Sequence, residues 1–111
     1  MVLHLKKVIE EGIFDSIKNF IAKTTIKLKY GLELVDVQRD STSRTLKINS
    51  GTKQYEILIS ASAGDSVGAG IIVTRTNPDD VSIYRNMVID KKKLGTELGK
   101  ALDTIKKDSS K

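Results

Sequence analysis

The chain has 111 residues, 39% of them apolar, with 19 basic and 14 acidic side chains, one histidine, one proline, and no cysteine or tryptophan. That length supports a single domain with a self-sufficient core, since roughly two-thirds of the unfolded surface is buried on folding at this size. The missing cysteines exclude disulfide scaffolds, thiol nucleophiles, iron–sulfur clusters and cysteine-ligated zinc.

Residues 1–11 are interrupted by charge too early for the apolar stretch of a secretory leader, and are read as part of the mature fold. The longest apolar-plus-glycine run, 67–73, is far below the roughly 18 residues of a membrane span. A cytoplasmic protein with no transmembrane segment is expected. Lysine outnumbers arginine 15 to 4, a composition that suits an AT-rich genome, as in many bacteria and phages.

Leu5, Val8, Ile9, Ile13, Ile17, Phe20 and Ile21 recur at three and four, which predicts an amphipathic helix over about 4–22. Gly12 weakens it, and two shorter helices meeting near Gly12 and Asp15 are the alternative. The period then changes to two: Ile26, Leu28, Tyr30, Leu32 and Leu34 alternate with polar residues and glycine, predicting a strand over about 24–38. The apolar parity switches at Val35 and Val37, which places a bulge near Leu34 and Val35.

Turn chemistry at 40–43 and 49–52 separates strands over about 44–49 and 54–60. Another follows at about 69–76. Tyr55, Ile57 and Ile59 share one face with Leu58 on the other, and Ile71, Ile72 and Val73 are apolar on both faces, so these two strands belong at the centre of the sheet. The small residues 61–68 between them predict the most mobile loop. Asn77-Pro78 ends the fourth strand. Val81, Ile83, Met87 and Ile89 then favour a strand over 81–89, against a helical alternative on Val81, Tyr84 and Val88. Asp90 is the expected N-cap of a final helix over about 91–107, with Leu94, Leu98, Ala101, Leu102 and Ile105 as its stripe. Lys106 and Lys107 suit its last turn, and 108–111 should fray. The expected architecture is α+β: an N-terminal amphipathic helix, an antiparallel meander sheet of four to five strands and a C-terminal helix, with the helices packed on the sheet.

Gly64-Asp65-Ser66-Val67-Gly68 satisfies G-x-S-x-G, but a strand rather than a helix follows, and the only histidine, His4, lies far upstream. A serine without a base is a poor nucleophile, so the stretch reads as a connection between strands. It lacks the Walker ending and the dinucleotide spacing. Asp79, Asp80, Asp65 and Asp90 could hold magnesium only if their loops converged, and turn formation and helix capping explain them better. Glu10 and Glu11 pair with Lys6 and Lys7 on one helix. No catalytic residue, metal or cofactor is implied.

The positive excess sits at the two ends of the chain, in 1–30 and 91–111, and attracts polyanions. Lys91, Lys92 and Lys93 open the final helix, where cations oppose the dipole; a solvated basic face is the plainer explanation. The candidate anion or nucleic-acid patch comprises Lys91, Lys92, Lys93, Lys100, Lys106, Lys107, Lys6 and Lys7, with Lys27 and Lys29 able to join it. Few aromatic rings are available for base stacking, and Arg39, Arg44, Arg75 and Arg85 are the only arginines for reading guanine. The amphipathic first helix could also lie on an anionic membrane, but covering the sheet is its default role. The sequence thus points to a small basic, non-enzymatic accessory module that engages a protein partner or itself as a homodimer, helped by an exposed sheet edge. The alternative is a phosphate-driven, weakly specific binder of DNA or RNA. No small-molecule substrate is inferred.

Overall fold

The computed structural model describes residues 22–40, 42–61 and 68–111. The helix expected over 4–22, with His4, Lys6 and Lys7, lies outside these residues except for Ala22, as do Asp65, Ser66 and most of the 61–68 connection. The elements are helix α1 (Lys23–Tyr30), strands β1 (Glu33–Arg39), β2 (Ser43–Ser50), β3 (Lys53–Ala61), β4 (Gly68–Asn77) and β5 (Val81–Asp90), a 3-10 turn (Lys91–Lys93) and helix α2 (Leu94–Ser109). The strands form one antiparallel sheet in the order β1 to β5, each beside its neighbour in sequence. The fold is α+β.

The strand expected from residue 24 is corrected in its first half, because Lys23–Tyr30 is helical. Ile26 and Tyr30, four apart, fit both a strand face and a helix stripe, so the alternation did not separate them. Leu28 decides the matter: a strand would bury it with its neighbours, whereas on the helix it points away, 82% exposed. Gly31 terminates the helix at φ +70°, its N–H reaching the carbonyls of Ile26 and Lys27, a left-handed cap that glycine adopts without steric penalty.

Leu32 and Leu34 are buried, and the expected bulge follows. Leu34 pairs with Ile48 and Asp36 with Lys47, leaving Val35 as the extra residue. Gly51, at φ +63°, opens the two-residue turn that joins β2 to β3. Residues 81–89 are a strand, as favoured, with two extra residues relative to β4: Met87 and Val88 together oppose Gly70, and Ile83 interrupts the register between Tyr84 and Ser82. Both edges of the sheet are therefore bulged, which discourages pairing with a foreign strand.

The sheet has an inner and an outer face. Leu34, Leu46, Ile48, Tyr55, Ile57, Ile59, Ala69, Ile71, Val73 and Ile89 point inward and are buried. They meet Leu94, Leu98, Ala101, Leu102 and Ile105 of α2, with Ile26 and Tyr30 of α1 closing one side. Gly99 lets the helices approach: a Cβ there would lie 3.3 Å from the Tyr30 hydroxyl. At its start the last helix differs from expectation. The three lysines form a 3-10 turn ahead of α2, and the Asp90 carboxylate accepts the Lys92 N–H at 3.0 Å, so Asp90 caps that turn. The N-cap of α2 itself is Lys93, with no side-chain bond.

Truncating a fully buried stripe residue such as Leu98 leaves a cavity under the sheet. We expect Leu98→Ala to destabilise the protein by about 3 kcal/mol in urea unfolding, and Leu28→Ala to change stability little.

Candidate functional site

Among the described residues two carboxylates come closest to chemical machinery, and both are occupied structurally. Asp108 Oδ2 accepts the Tyr55 hydroxyl at 2.7 Å, and both Asp108 oxygens accept from Arg75 Nη1 at 2.9 Å. Lys53 Nζ donates to the Asp108 carbonyl at 2.9 Å. The fraying expected from 108 onward is corrected here, because Asp108 is only 8% exposed and fastens the end of α2 to β3 and β4. The hydrogen bond from Tyr55, aided by Arg75, holds the Asp108 carboxyl below its usual range. Burial first, then the carboxylate, pushes the Tyr55 phenol well above its own.

The second cluster ties α2 to β5. Glu97 Oε2 accepts Tyr84 Oη at 2.7 Å and Asn86 Nδ2 at 3.1 Å, while Oε1 receives Lys100 Nζ at 3.0 Å. The Tyr84 bond, then that of Lys100, lowers the Glu97 pKa. A carboxylate saturated with donors and kept ionised is a poor general acid, and neither cluster places a nucleophile beside a base. Among the described residues no three His, Cys, Asp or Glu side chains converge as metal ligands do, and no helix is long and apolar enough to cross a membrane.

The lysines are distributed unevenly. The helical segments, α1 with the 3-10 turn and α2, carry nine lysines against three carboxylates, whereas 33–90 carries six basic and eight acidic residues. Two of those three helical carboxylates are the occupied Glu97 and Asp108. Lys92, Lys93, Lys100, Lys106 and Lys107 are exposed, as are Lys23, Lys27 and Lys29. An open groove of about 480 Å³ between the helices brings Lys29 and Lys100 together around Tyr30, Gly95 and Gly99. Asp103 also lines it, interrupting the basic stripe between Lys100 and Lys107. Lys6 and Lys7 cannot be placed with the others, since they lie outside the described residues. All four arginines are on or beside strands: Arg75 is tied to Asp108, and Arg44 Nη1 donates to the carbonyls of Asp40 and Ser43. Tyr30 and Tyr55 are buried, which removes them as stacking platforms.

The sheet's outer face is a second candidate surface, one that the sequence pattern does not single out. Leu58 and Ile72 are register partners in its middle. Beside them Met87 packs over Gly70, where a Cβ would fall 2.8 Å from the methionine Cε. Leu58 is 38%, Met87 45% and Val88 89% exposed, and Val35 is exposed near the other edge. No element among the described residues covers this patch. Its signal in the sequence was the second apolar parity, Leu58 and Ile72, used only to place two strands centrally. The chain matches no protein-family model, no curated protein and no solved structure.

The depressed carboxyl pKa values set an acid limit. Asp108 and Glu97 stay ionised in the folded state below the ordinary carboxylate pKa of about 4. The stability they contribute is complete above that value and is lost as pH falls through their folded-state values. Asp108→Asn should lose about 2 kcal/mol at neutral pH and show a flatter decline of Tm between pH 5 and pH 3, read by circular dichroism in roughly half-unit steps.

Proposed function

We propose that the protein is a non-enzymatic, intracellular binding module that engages a protein partner or another copy of itself through the outer face of its sheet. One observation carries it: Leu58 and Ile72 pair across strands, with Met87 over Gly70 on the next strand, on a face with no cover among the described residues, rimmed by Asp36, Lys47, Glu56 and Arg85. An apolar centre inside a charged rim is the anatomy of a protein interface, and methionine adapts to varied partners. The bulged edges favour use of the face over use of an edge strand. Immobilised wild-type protein should retain binding partners from its host that Leu58→Lys and Met87→Glu lose. An unchanged retained set, with both variants folded, would refute this use of the face.

A second mode is favoured by the lysine distribution: phosphate-driven, weakly sequence-specific nucleic-acid binding across α1 and α2, using Lys92, Lys93, Lys100, Lys106 and Lys107 with Lys91 in the same turn. Lysines act there as point charges on phosphates, and the arginines able to read bases are elsewhere. Affinity for a random duplex should fall steeply as salt rises. Replacing Lys106 and Lys107 by Ala should reduce the logarithmic salt slope by about one per lysine. No retention at low salt would exclude this mode.

A further inference from the structure

We infer that the outer face of the sheet is the interface of a two-fold homodimer, two copies stacking sheet on sheet; this builds on the binding role proposed for that face and names its occupant. With the two-fold between β3 and β4, strands β2 to β5 of each copy overlap, and four strands at about 4.8 Å spacing, eight to ten residues long at about 3.3 Å each, give a contact face of roughly 600 Å². Two such faces bury about 1,200 Å², the lower bound of a stable interface.

The charges on the face agree with a particular axis. Cross-strand partners form two central rows, Asp36–Lys47–Glu56–Thr74–Ser82 and Gln38–Thr45–Leu58–Ile72–Arg85. A two-fold running along the strands between β3 and β4 reverses each row across itself. It sets Leu58 against the partner's Ile72, Glu56 against the partner's Thr74 and Arg85 against the partner's Thr45. The apolar pair meets twice and no like charges face each other. An axis across the strands at the Leu58 row would instead oppose Arg85 to the partner's Arg85.

The arrangement also suits the rest of the molecule. Two stacked sheets with helices outside place the two lysine-rich layers about 30 Å apart, from three packing distances of about 10 Å. That is about four Debye lengths at physiological salt, so their repulsion is screened. Stacking head to tail would press the lysines of one copy onto the Leu58 and Ile72 patch of the next, desolvating charge without a partner.

Sedimentation equilibrium on the full chain, at low and high micromolar concentration, tests this. Twice the monomer mass is expected at the higher concentration. Leu58→Lys and, separately, Met87→Glu should each raise the dissociation constant at least about a hundredfold with unchanged circular dichroism, while Leu28→Lys on the helix layer leaves it alone. Because the chain has no cysteine, single thiols report the axis: a Leu58→Cys chain mixed with an Ile72→Cys chain should form the mixed disulfide faster than either forms its own. A monomer at every concentration overturns the dimer, and leaves the capture comparison to decide separately whether a foreign partner uses the face. A dimer indifferent to Leu58→Lys and Met87→Glu, but dissociated by Leu28→Lys or Ile13→Lys, overturns it by placing the contact on the helices or the N-terminal segment.

Discussion

The structure depends on burial of one face of a five-stranded sheet beneath α2. An antiparallel sheet can leave one face in water but must cover the other, and the inner face here carries an apolar residue at nearly every inward position from Leu34 to Ile89. The sixteen residues of α2 reach about 24 Å, enough to cross several strands. The two polar clusters finish the attachment, Glu97 holding the first turn of α2 against β5 and Asp108 holding its last turn against β3 and β4. Both carboxylates are engaged in fastening, so the contacts that hold α2 to the sheet also keep these two groups ionised and donor-saturated.

The parts of this fold readable from sequence are those where only one period fits. Tyr55, Ile57 and Ile59 alternate without a helical competitor, and the parity change at Val35 has no simpler cause than a bulge. Residues 23–30 are ambiguous in sequence because positions four apart satisfy a strand and a helix alike, and the exposed Leu28 adds a false third term. Asp108 is hard to single out because an aspartate beside a lysine pair near a chain end looks solvated. Yet it continues the stripe of Ala101 and Ile105 at the proper spacing, and an acidic residue on a buried stripe implies a donor waiting opposite. The donors, Tyr55 and Arg75, are 53 and 33 residues away in sequence, a pairing that no local pattern encodes. Likewise the lysines could be counted by segment, but only the packing of α1 beside α2 puts Lys29 and Lys100 on one groove, and Asp103 between Lys100 and Lys107 tempers that patch.

The proposed function rests on how the two layers divide the chemistry. Outward positions on the helices carry long lysines, whose stems can lie along the apolar surface while the ammonium groups stay in water. Outward positions on the sheet are shorter and mixed, with apolar residues at the centre and both charge signs around them. A layer with a strong excess of positive charge suits a diffuse anionic partner; a face with balanced charge and an apolar middle suits a folded surface of matching shape. The two surfaces point in opposite directions, so the two proposed binding modes do not compete for one surface.

The strand order carries a kinetic consequence. Every strand lies beside its predecessor, so most native contacts join segments close along the chain. Topologies of that kind are reached quickly, because little loop entropy must be surrendered before contacts form. The hairpins can close in succession from the tight turn at Gly51, but α2 finds its seat only once β3, β4 and β5 are adjacent. By that topology α2 docks after the hairpins, and until it does the part of the apolar inner face that it covers is open to water and to neighbouring molecules.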